Sequence, residues 1–276
     1  MTNLRHSLPE SARFGLRVFR AEADAIEAAA LVDTLQRERV DVAILRLPAV
    51  AVASLNALRE YDLAPIVADT IVCYEIDLPA THAESGDAVT LRDATPADAA
   101  LLESLAHEIF TGYITHYHAN PLFPAAKILD GYAEWAASHV RGERVGDAAW
   151  LIEADGEIAG FSCYRLDPAN GLAVGVLNGI LPGKRGRGIY RRMLQRMLRE
   201  FGTRGMRRFA IATQVQNVAV QRNWASQGLS IRRADNTVHI NALFGRARGI
   251  AGDVAAPSRV SPQSMGAKAS AAGRAK

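Results

Sequence analysis

The hydrophobic and polar positions divide the chain into two blocks of alternating strands and helices. Short apolar runs between Gly, Pro, Asp and Asn predict strands, and apolar positions three and four residues apart predict helices. The first block ends near Pro79 and the second opens at Val89. The polar stretch 81–87 between them predicts a linker.

The first block predicts a partial α/β domain over residues 1–80. Its predicted elements are a strand at Phe14–Phe19, a helix at Ala21–Arg37, a strand at Val42–Leu47, a helix at Val52–Tyr61, and a strand or strand pair at Pro65–Leu78.

The pattern of the second block predicts a longer series of strands and helices. Thr95 and Pro96 start a helix, because Thr is a good N-cap and Pro suits the first helical position. Asp155–Gly156 predicts a hairpin turn. The predicted elements are a strand at Val89–Arg92, helices after Pro96 and at Ala126–Val140, hairpin strands at Trp150–Ala154 and Ile158–Leu166, a strand at Leu172–Leu181, a helix at Ile189–Phe201, a strand at Arg208–Thr213, a helix at Val218–Gln227, and strands through Ile231–Phe244.

Two segments of the chain share one order of elements. Adding 166 to the residue number places 40–78 on 206–244 without a gap. Both segments predict strand, helix and strand, and Asp69 then coincides with Asp235. We infer that the first block is a degenerate copy of part of the second.

Composition narrows the class of protein. Of 276 residues, 49% are hydrophobic and 22% charged, which is typical of a globular chain and excludes wholesale disorder. No apolar run is long enough to predict a membrane span, and the first residues lack the apolar core of a signal peptide. Cys73 and Cys163 are too few for a disulfide framework or a four-cysteine zinc site. We therefore expect a cytoplasmic protein without a metal.

The basic charge of the chain comes mostly from its last residues. Residues 246–276 hold six Lys or Arg against Asp253 alone, and the rest is largely Ala, Gly, Ser and Pro. Such a composition cannot bury enough apolar area to fold, so it predicts a disordered basic tail. The remaining body is slightly acidic, so we do not predict nucleic acid as a partner.

The segment Ile180–Tyr190 carries the clearest sign of chemistry. A predicted strand ends, three glycines follow within six residues, and a basic helix begins. Glycine lets backbone amides turn outward, and the first amides of a helix have no intrahelical acceptor, so this arrangement suits a pyrophosphate. A plain turn before a solvated helix is the alternative. The spacing matches neither the GxxxxGK[ST] nor the GxGxxG nucleotide motif.

Three motifs resemble the GNAT superfamily of N-acetyltransferases. Arg185–Ile189 resembles its Arg-x-x-Gly-x-Gly/Ala acyl-CoA motif, Leu91–Ala99 resembles its first strand and helix, and Gln216–Val220 resembles the Asn-x-x-Ala start of its fourth helix. The resemblance covers about residues 88–244. One position departs from the motif, because Tyr190 stands where the family usually has Gly or Ala.

The resemblance implies an α/β GNAT fold, with a central, mixed and mostly antiparallel sheet flanked by helices. A partial GNAT-like domain would precede a transferase domain at 88–245. Acetyl-CoA would be the co-substrate. Its implied binding residues are Ile180, Leu181, Arg185, Gly186, Arg187, Gly188, Ile189, Tyr190 and Asn217.

Within the superfamily, the chain resembles sugar-nucleotide N-acetyltransferases of the dTDP-fucosamine acetyltransferase type. Those proteins also carry an N-terminal half-domain and an aromatic segment before a helix like Tyr132–Ala136. Aromatic faces cover the apolar side of a sugar, and ring nitrogens and hydroxyls bind its polar edge. The expected substrate-binding residues are Phe110, Tyr113, Tyr117, His118 and Trp224. His116 and His118 lack a third metal ligand.

Acetyl transfer to an amine needs a base, an oxyanion donor and a way to stabilise the leaving thiolate. His118 or His116 is the expected base, with Glu108 as an alternative, and a bulge in Leu172–Leu181 would supply the oxyanion N–H. The family's acid is a Tyr on its fourth helix, where this chain has Trp224. Tyr190 or Tyr164 could replace it, the thiolate could leave without an acid, or the protein could be non-catalytic.

The predicted function is acetyl-CoA-dependent N-acetylation of a small-molecule primary amine, first of all a nucleotide-linked amino-deoxysugar. Two alternatives stay open. One is an acetyltransferase for an antibiotic, polyamine or amino acid amine, and the other is a non-catalytic, acyl-CoA-binding regulatory protein. A homodimer is the expected assembly, with no nucleic acid or membrane as a partner.

Overall fold

Ten strands of the described residues form one mixed sheet. The computed structural model describes residues 3–78 and 89–245, so the predicted linker 81–87 and tail 246–276 lie outside the described residues. In chain order, β1 to β10 are Arg5–His6, Val18–Glu22, Val42–Pro48, Ile66–Asp77, Thr90–Asp93, Asp147–Ala154, Glu157–Asp167, Leu172–Ile180, Arg208–Gln214 and Ser230–Asn241.

Helices cover both faces of this sheet. In chain order, α1 to α6 are Leu8–Phe14, Ala28–Arg37, Ala99–Phe110, Ala125–Ser138, Ile189–Thr203 and Val218–Ser226. Short 3₁₀ segments are Ala49–Tyr61, Pro96–Asp98, His116–Ala119 and Pro182–Lys184. Within residues 3–78 and 89–245, no helix is long and apolar enough to cross a membrane.

The sheet interleaves strands from the two blocks. Its order is β1-β2-β3-β10-β4-β9-β8-β7-β6-β5, so β4 of the first block lies between β10 and β9 of the second. Among the described strands, β2–β3 and β8–β9 are the parallel pairs, and the other pairs are antiparallel. The prediction of a mixed, mostly antiparallel sheet flanked by helices is confirmed.

The internal repeat has a structural counterpart in the β4–β10 pair. Thr70 is opposite Asn236, and these two residues are 166 positions apart. The two neighbouring pairs are Asp69 with Thr237 and Ile71 with Asp235. Adding 166 to Asp69 gives Asp235, and adding 166 to Ile71 gives Thr237, so the shift converts one pair into the other. The division into domains at 1–80 and 88–245 stays a prediction, because strands of both segments share this sheet and the chain through Gly245 forms one compact unit.

Side-chain alternation assigns the helices to two faces. In β6, Trp150 and Ile152 pack in the core with α5, whereas Ala149 and Leu151 pack in the core with α3 and α4. At the other end of the sheet, α2 packs against one face and α1 against the opposite face. The segment after α3, which was expected to bind the acceptor, therefore lies on the face opposite to α5.

The structure corrects the N-terminal elements. The predicted strand Phe14–Phe19 is wrong, because Phe14 ends α1 and Gly15, with φ 68°, caps it in the left-handed region. Pro9 in the first turn and Gly15 after the last are ordinary helix start and stop signals. The helix predicted from Ala21 begins only at Ala28, since β2 continues to Glu22.

Candidate active site

The parallel strands β8 and β9 separate part-way along their length. Leu172–Gly175 pairs with Arg208–Ile211, and the following residues of β8 have no ladder partner in β9 within the described chain. At this point β8 carries an extra residue, Val176, between its pairs with β7. Backbone N–H and C=O groups of both strands thus face an opening, where an extended ligand with amide groups could pair with them.

The loop after β8 has two glycines in the left-handed region of backbone conformation. Gly186 has φ 78° and Gly188, the N-cap of α5, has φ 72°, a region that side chains with a Cβ rarely adopt. A Cβ built on Gly186 would meet nothing within 4 Å, so the space beside the loop is open. The first amides of α5 and its dipole favour an anion there. The loop therefore fits the pyrophosphate of a CoA ester.

The basic side chains of this loop are partly engaged within the protein. The Arg185 guanidinium donates from Nε to the Ile180 carbonyl (3.0 Å) and from a terminal nitrogen to the Ile109 carbonyl (2.9 Å). Lys184 pairs with Glu157. Arg185 thus ties the loop to the end of α3, and the CoA contact predicted for this residue would fall to its main chain. Arg187 is exposed.

Three polar groups meet where β8 leaves β9. The indole N–H of Trp224, which is 2% exposed on α6, donates to the Tyr190 hydroxyl over 3.0 Å. That hydroxyl donates to Asn178 of β8 over 3.3 Å. Burial raises the pKa of Tyr190, and the Trp224 hydrogen bond opposes this effect. Tyr190 is therefore protonated at neutral pH and its hydroxyl is held at the opening.

Tyr164, the other predicted acid, lies elsewhere. It packs against Trp150 and Phe201, and its hydroxyl accepts from Arg204, which follows α5. Burial raises its pKa to about 12. Tyr190 is at the opposite end of α5, roughly 20 Å away along the helix axis. The structure does not bring Tyr164 to the opening.

A pocket of about 170 Å³ lies beside the opening on the opposite face. Its rings are close together, with Phe110 5.7 Å from Tyr113 and 5.2 Å from Tyr132 between centroids. The lining residues are Phe110, Gly112, Tyr113, Ile114, Thr115, His118, Ala125, Ile128, Leu129 and Tyr132. Phe110, Tyr113 and His118 are thus the predicted substrate residues that the structure places together.

One hydrogen bond connects the pocket to the opening. The Tyr113 hydroxyl donates to the side chain of Gln214, the last residue of β9. Asn217, which follows at the start of α6, donates from its amide to Thr213 over 3.1 Å. The end of β9 therefore joins the aromatic pocket on one face to the predicted CoA-binding segment on the other.

Comparison with known proteins agrees with this geometry. Residues 112–229 match the model of the acetyltransferase (GNAT) family. No curated protein matches the chain. The chain has the GNAT fold.

Three solved structures with similar folds support the assignment of the GNAT fold. A GNAT-family protein from Novosphingobium aromaticivorans is 17% identical, with a TM-score of 0.50 and coverage of 87% of this chain and 89% of the other. A GNAT protein from Sphaerobacter thermophilus is 16% identical, with a TM-score of 0.55 and coverage of 87% and 75%. One from Kribbella flavida is 16% identical, with a TM-score of 0.51 and coverage of 81% of each chain.

In this GNAT fold, His118 lines the pocket with one ring nitrogen engaged within the protein, and its role as base stays a prediction. Its Nδ1 accepts a hydrogen bond from the Thr115 backbone amide over 3.1 Å. Nδ1 is thus engaged with Thr115, and Nε2 is the ring nitrogen left to contact a ligand in the pocket.

Other predicted acceptor residues lie outside the pocket. His116 is 8% exposed, and its Nδ1 is 2.9 Å from Nε2 of His239. Burial lowers the pKa of His116 well below its usual value. The Tyr117 hydroxyl donates to Glu10 and lies under the loop. Trp224 is across the sheet, and the alternative base Glu108 is exposed on α3.

The structure adds residues that the sequence did not single out. Asn178, Gln214 and Asp69 are polar residues within strands, and none belongs to a motif. The sequence signal for each is a polar side chain inside an apolar run. Among the described residues, no group of three or more His, Cys, Asp or Glu is arranged to hold a metal ion.

Proposed function

We propose that the chain is an acetyl-CoA-dependent N-acetyltransferase that acts on a small-molecule primary amine. The observation that carries this proposal is the meeting of three features at one end of the β8–β9 opening. These are the glycine loop before α5, the held hydroxyl of Tyr190 and the aromatic pocket. The family match over residues 112–229 supports the same chemistry.

The described residues fit the co-substrate. Acetyl-CoA, when bound, supplies a thioester whose carbonyl carbon an amine attacks and whose sulfur leaves. The amides of Gly186–Gly188 and the first turn of α5 would hold its pyrophosphate. The edge of β8 after Gly175 would hold its extended arm, and an N–H beside Val176 would face the carbonyl oxygen.

Tyr190 is the group that we assign to the leaving sulfur. Its hydroxyl is protonated at neutral pH and is oriented by Trp224 and Asn178. A positioned donor stabilises a thiolate and can give it a proton. The regulatory alternative was motivated by Trp224 at the family's Tyr position. Tyr190 beside Trp224 offers a replacement for that missing hydroxyl.

The pocket favours a compact acceptor group. About 170 Å³ is smaller than the roughly 300–1,000 Å³ of sites for drug-sized ligands. It would enclose the amine-bearing ring and leave the rest of a larger substrate outside. Rings of Phe110, Tyr113 and Tyr132 would cover the apolar side of a sugar, while His118 would donate to a hydroxyl. We therefore propose a nucleotide-linked amino-deoxysugar as the acceptor.

Release of free CoA thiol with a panel of amines tests the proposal. The panel contains a nucleotide-linked amino-deoxysugar, an aminoglycoside antibiotic, spermidine and an amino acid. We expect turnover, with the highest kcat/KM for the sugar nucleotide. Greater turnover of another amine would replace the acceptor. CoA binding without thiol release for any amine would favour the regulatory alternative.

The cellular setting stays a prediction. A cytoplasmic location and a homodimer are expected, with neither nucleic acid nor membrane as a partner. Light scattering of the full chain, with and without CoA, measures the assembly. A monomeric mass in both states would contradict the expected dimer.

A further inference from the structure

The end of α3 has a backbone carbonyl that the helix itself does not satisfy. α3 ends at Phe110, and the last four carbonyls of a helix have no intrahelical donor. The Ile109 carbonyl is one of them, because the Tyr113 amide, its donor in a longer helix, bonds the Phe110 carbonyl over 2.9 Å instead. A donor reaches Ile109 from Arg185, 76 positions away in the chain.

The Arg185 guanidinium joins two elements of the fold. One terminal nitrogen donates to the Ile109 carbonyl over 2.9 Å, and Nε donates to the carbonyl of Ile180, the last residue of β8, over 3.0 Å. The guanidinium is planar and its donors point in fixed directions. These two hydrogen bonds therefore hold the end of α3 at a fixed place relative to the end of β8.

The side chain of Ile109 lies directly against the backbone of β8. A Cβ built on Gly179 would overlap the Cγ2 methyl group of Ile109, so no side chain larger than hydrogen fits there. Ile109 is 6% exposed and belongs to one buried cluster with Leu177 of β8. The end of α3 thus rests on β8 one residue before the carbonyl that accepts from Arg185.

The two ends of this connection belong to the two parts of the proposed site. Arg185 directly precedes Gly186, which has φ 78° in the glycine loop that would hold the pyrophosphate. Ile109 directly precedes Phe110, whose ring lines the aromatic pocket together with Tyr113. A displacement of the glycine loop would therefore reach the wall of the pocket through the side chain of Arg185.

We propose that Arg185 is a positioning residue that couples the glycine loop to the aromatic pocket. This proposal rests on the proposed function and deepens it, because it names the contact through which bound CoA sets the shape of the acceptor site. CoA that holds the loop also holds Arg185, and Arg185 then holds Phe110 in place. A displacement of about 1 Å between reacting groups can cost about 10²-fold in rate, so this contact matters for catalysis.

Hydrogen exchange of the full chain, with and without CoA, tests the coupling without an acceptor. In wild type, CoA should slow amide exchange at 186–190 directly, and at 110–118 by at least about threefold through Arg185. In Arg185→Gln, the amide nitrogen of Gln takes the place of Nε, so the bond to Ile180 can stay while the donor to Ile109 is lost. CoA should then slow exchange at 186–190 and leave 110–118 unchanged.

Lys184→Met is the matched control. Lys184 is a basic residue of the same loop and is also engaged within the protein, but its partner is Glu157 at the start of β7. CoA should slow exchange at both segments in this variant. Arg185 is an exposed loop residue, so Arg185→Gln should keep a cooperative melting transition. Calorimetry should give CoA affinities within about threefold of wild type for both variants.

Steady-state kinetics with the best amine of the panel measure the consequence for catalysis. Arg185→Gln should lower kcat/KM for the amine about 10–100-fold, mainly through a higher KM for the amine. A weaker CoA contact alone would instead raise the Kd for CoA and leave the KM for the amine unchanged.

The proposal is overturned if CoA slows exchange at 110–118 equally in wild type and Arg185→Gln, or does not slow it in wild type. It is also overturned if Lys184→Met loses this effect to the same extent as Arg185→Gln. A wild-type chain that binds no CoA would overturn the proposed function as well. CoA binding together with either of the first results would overturn this inference alone.

Discussion

The sheet has two parallel strand pairs among its described strands, β2–β3 and β8–β9, and each pair is connected through a helix. The two pairs differ in how far along the strands the pairing extends. In the N-terminal half, β2 pairs with β3 over its whole length, from Val18 to Glu22. In the C-terminal half, β8 pairs with β9 only from Leu172 to Gly175 and then leaves it. A ligand can lie between strands only where the ladder opens. The described strands of the first half, β2 and β3, therefore have no counterpart to the opening between β8 and β9.

The loops after β2 and β8 also differ in how well each suits an anionic ligand. The loop after β2, residues 23–27, contains no glycine and carries Asp24 and Glu27, and Glu27 is the N-cap of α2. The loop after β8 has two glycines at positive φ and three basic residues. Acidic side chains at a helix N-terminus compete with an anionic ligand, whereas outward amides attract one. Only the second loop suits a pyrophosphate.

The N-terminal half instead supports the acceptor segment. Glu10 of α1 accepts from Tyr117 and from Arg20, which is 2.8 Å away. Lys127 of α4 donates to the Arg13 carbonyl over 2.8 Å. These contacts connect the first half to the loop and helix that line the pocket. A copy that lacks a phosphate loop can thus still help to build a binding site.

Tyr190→Phe should have the largest effect, because it removes the hydroxyl held at the β8–β9 opening. We expect kcat to fall about 10²–10⁴-fold while CoA affinity stays near wild type. Steady-state thiol release and calorimetry with CoA measure the two quantities. Tyr164→Phe is the matched control, since it also removes a buried hydroxyl under α5, and it should leave kcat unchanged. Equal losses in both variants would refute the assignment of Tyr190.

Gly186→Ala tests the loop that distinguishes the two halves. A Cβ at φ 78° costs about 1–2 kcal/mol of backbone strain and projects into the open space beside the loop. CoA affinity should fall by about tenfold or more, with a small drop in Tm. Gly183→Ala is the control, because its Cβ also meets nothing within 4 Å and its φ is not positive. Calorimetry showing equal CoA affinity in both variants would contradict this account of the loop.

The His116–His239 pair predicts how stability depends on pH. Burial lowers the pKa of His116 well below its usual value and that of His239 to about 4. The unfolded chain binds these protons near pH 6.5, before the folded chain does. Stability from the neutral pair is therefore full above about pH 6.5 and is lost as pH falls toward 4.

Melting curves between pH 7.5 and 4.5 measure this effect. Wild type should lose Tm more steeply with falling pH than His239→Gln, which has one fewer buried group to protonate. An equal dependence of Tm on pH in wild type and His239→Gln would show that this pair does not control the loss of stability at acidic pH. The result would sharpen the comparison, because the pair joins the acceptor segment to β10 beside the N-terminal strands.

Tyr117→Phe should have the smallest effect of the series. It removes a hydroxyl that bonds Glu10 and Arg20 but leaves the ion pair between these two residues. We expect a loss of about 1 kcal/mol in urea unfolding and a severalfold higher KM for the acceptor, with unchanged CoA affinity. Tyr61→Phe, at an exposed position, is the control. An unchanged KM would argue against support of the pocket by the first half.

Much of the fold could be predicted from local patterns. The Asp155–Gly156 turn and the glycine loop before Ile189 each set a boundary that the structure keeps. The interleaving of β4 between β9 and β10 could not be predicted in this way, because strand order depends on contacts far apart in the chain. The repeat of 166 residues gave the only hint of it.

The site was less accessible to sequence reasoning. The many aromatic and imidazole rings at 110–118 indicated the pocket. The direction of each side chain could not be predicted, and it separates His118, which lines the pocket, from His116, which is buried against His239. Gln214, which accepts from Tyr113 at the pocket, is remote in the chain from that residue and belongs to no motif, so sequence reasoning could not single it out. The hydrogen bond between Tyr113 and Gln214 joins residues 101 positions apart, so it is visible only in three dimensions.

The difference between the two halves is tested most directly by the stoichiometry of CoA binding. Calorimetric titration of the full chain should show one CoA bound per chain, at the β8–β9 opening. Gly186→Val should remove that binding while the chain stays folded, as judged by its melting transition. Two CoA molecules per chain, or binding that survives Gly186→Val with unchanged affinity, would contradict the proposal that the C-terminal half alone forms the CoA site.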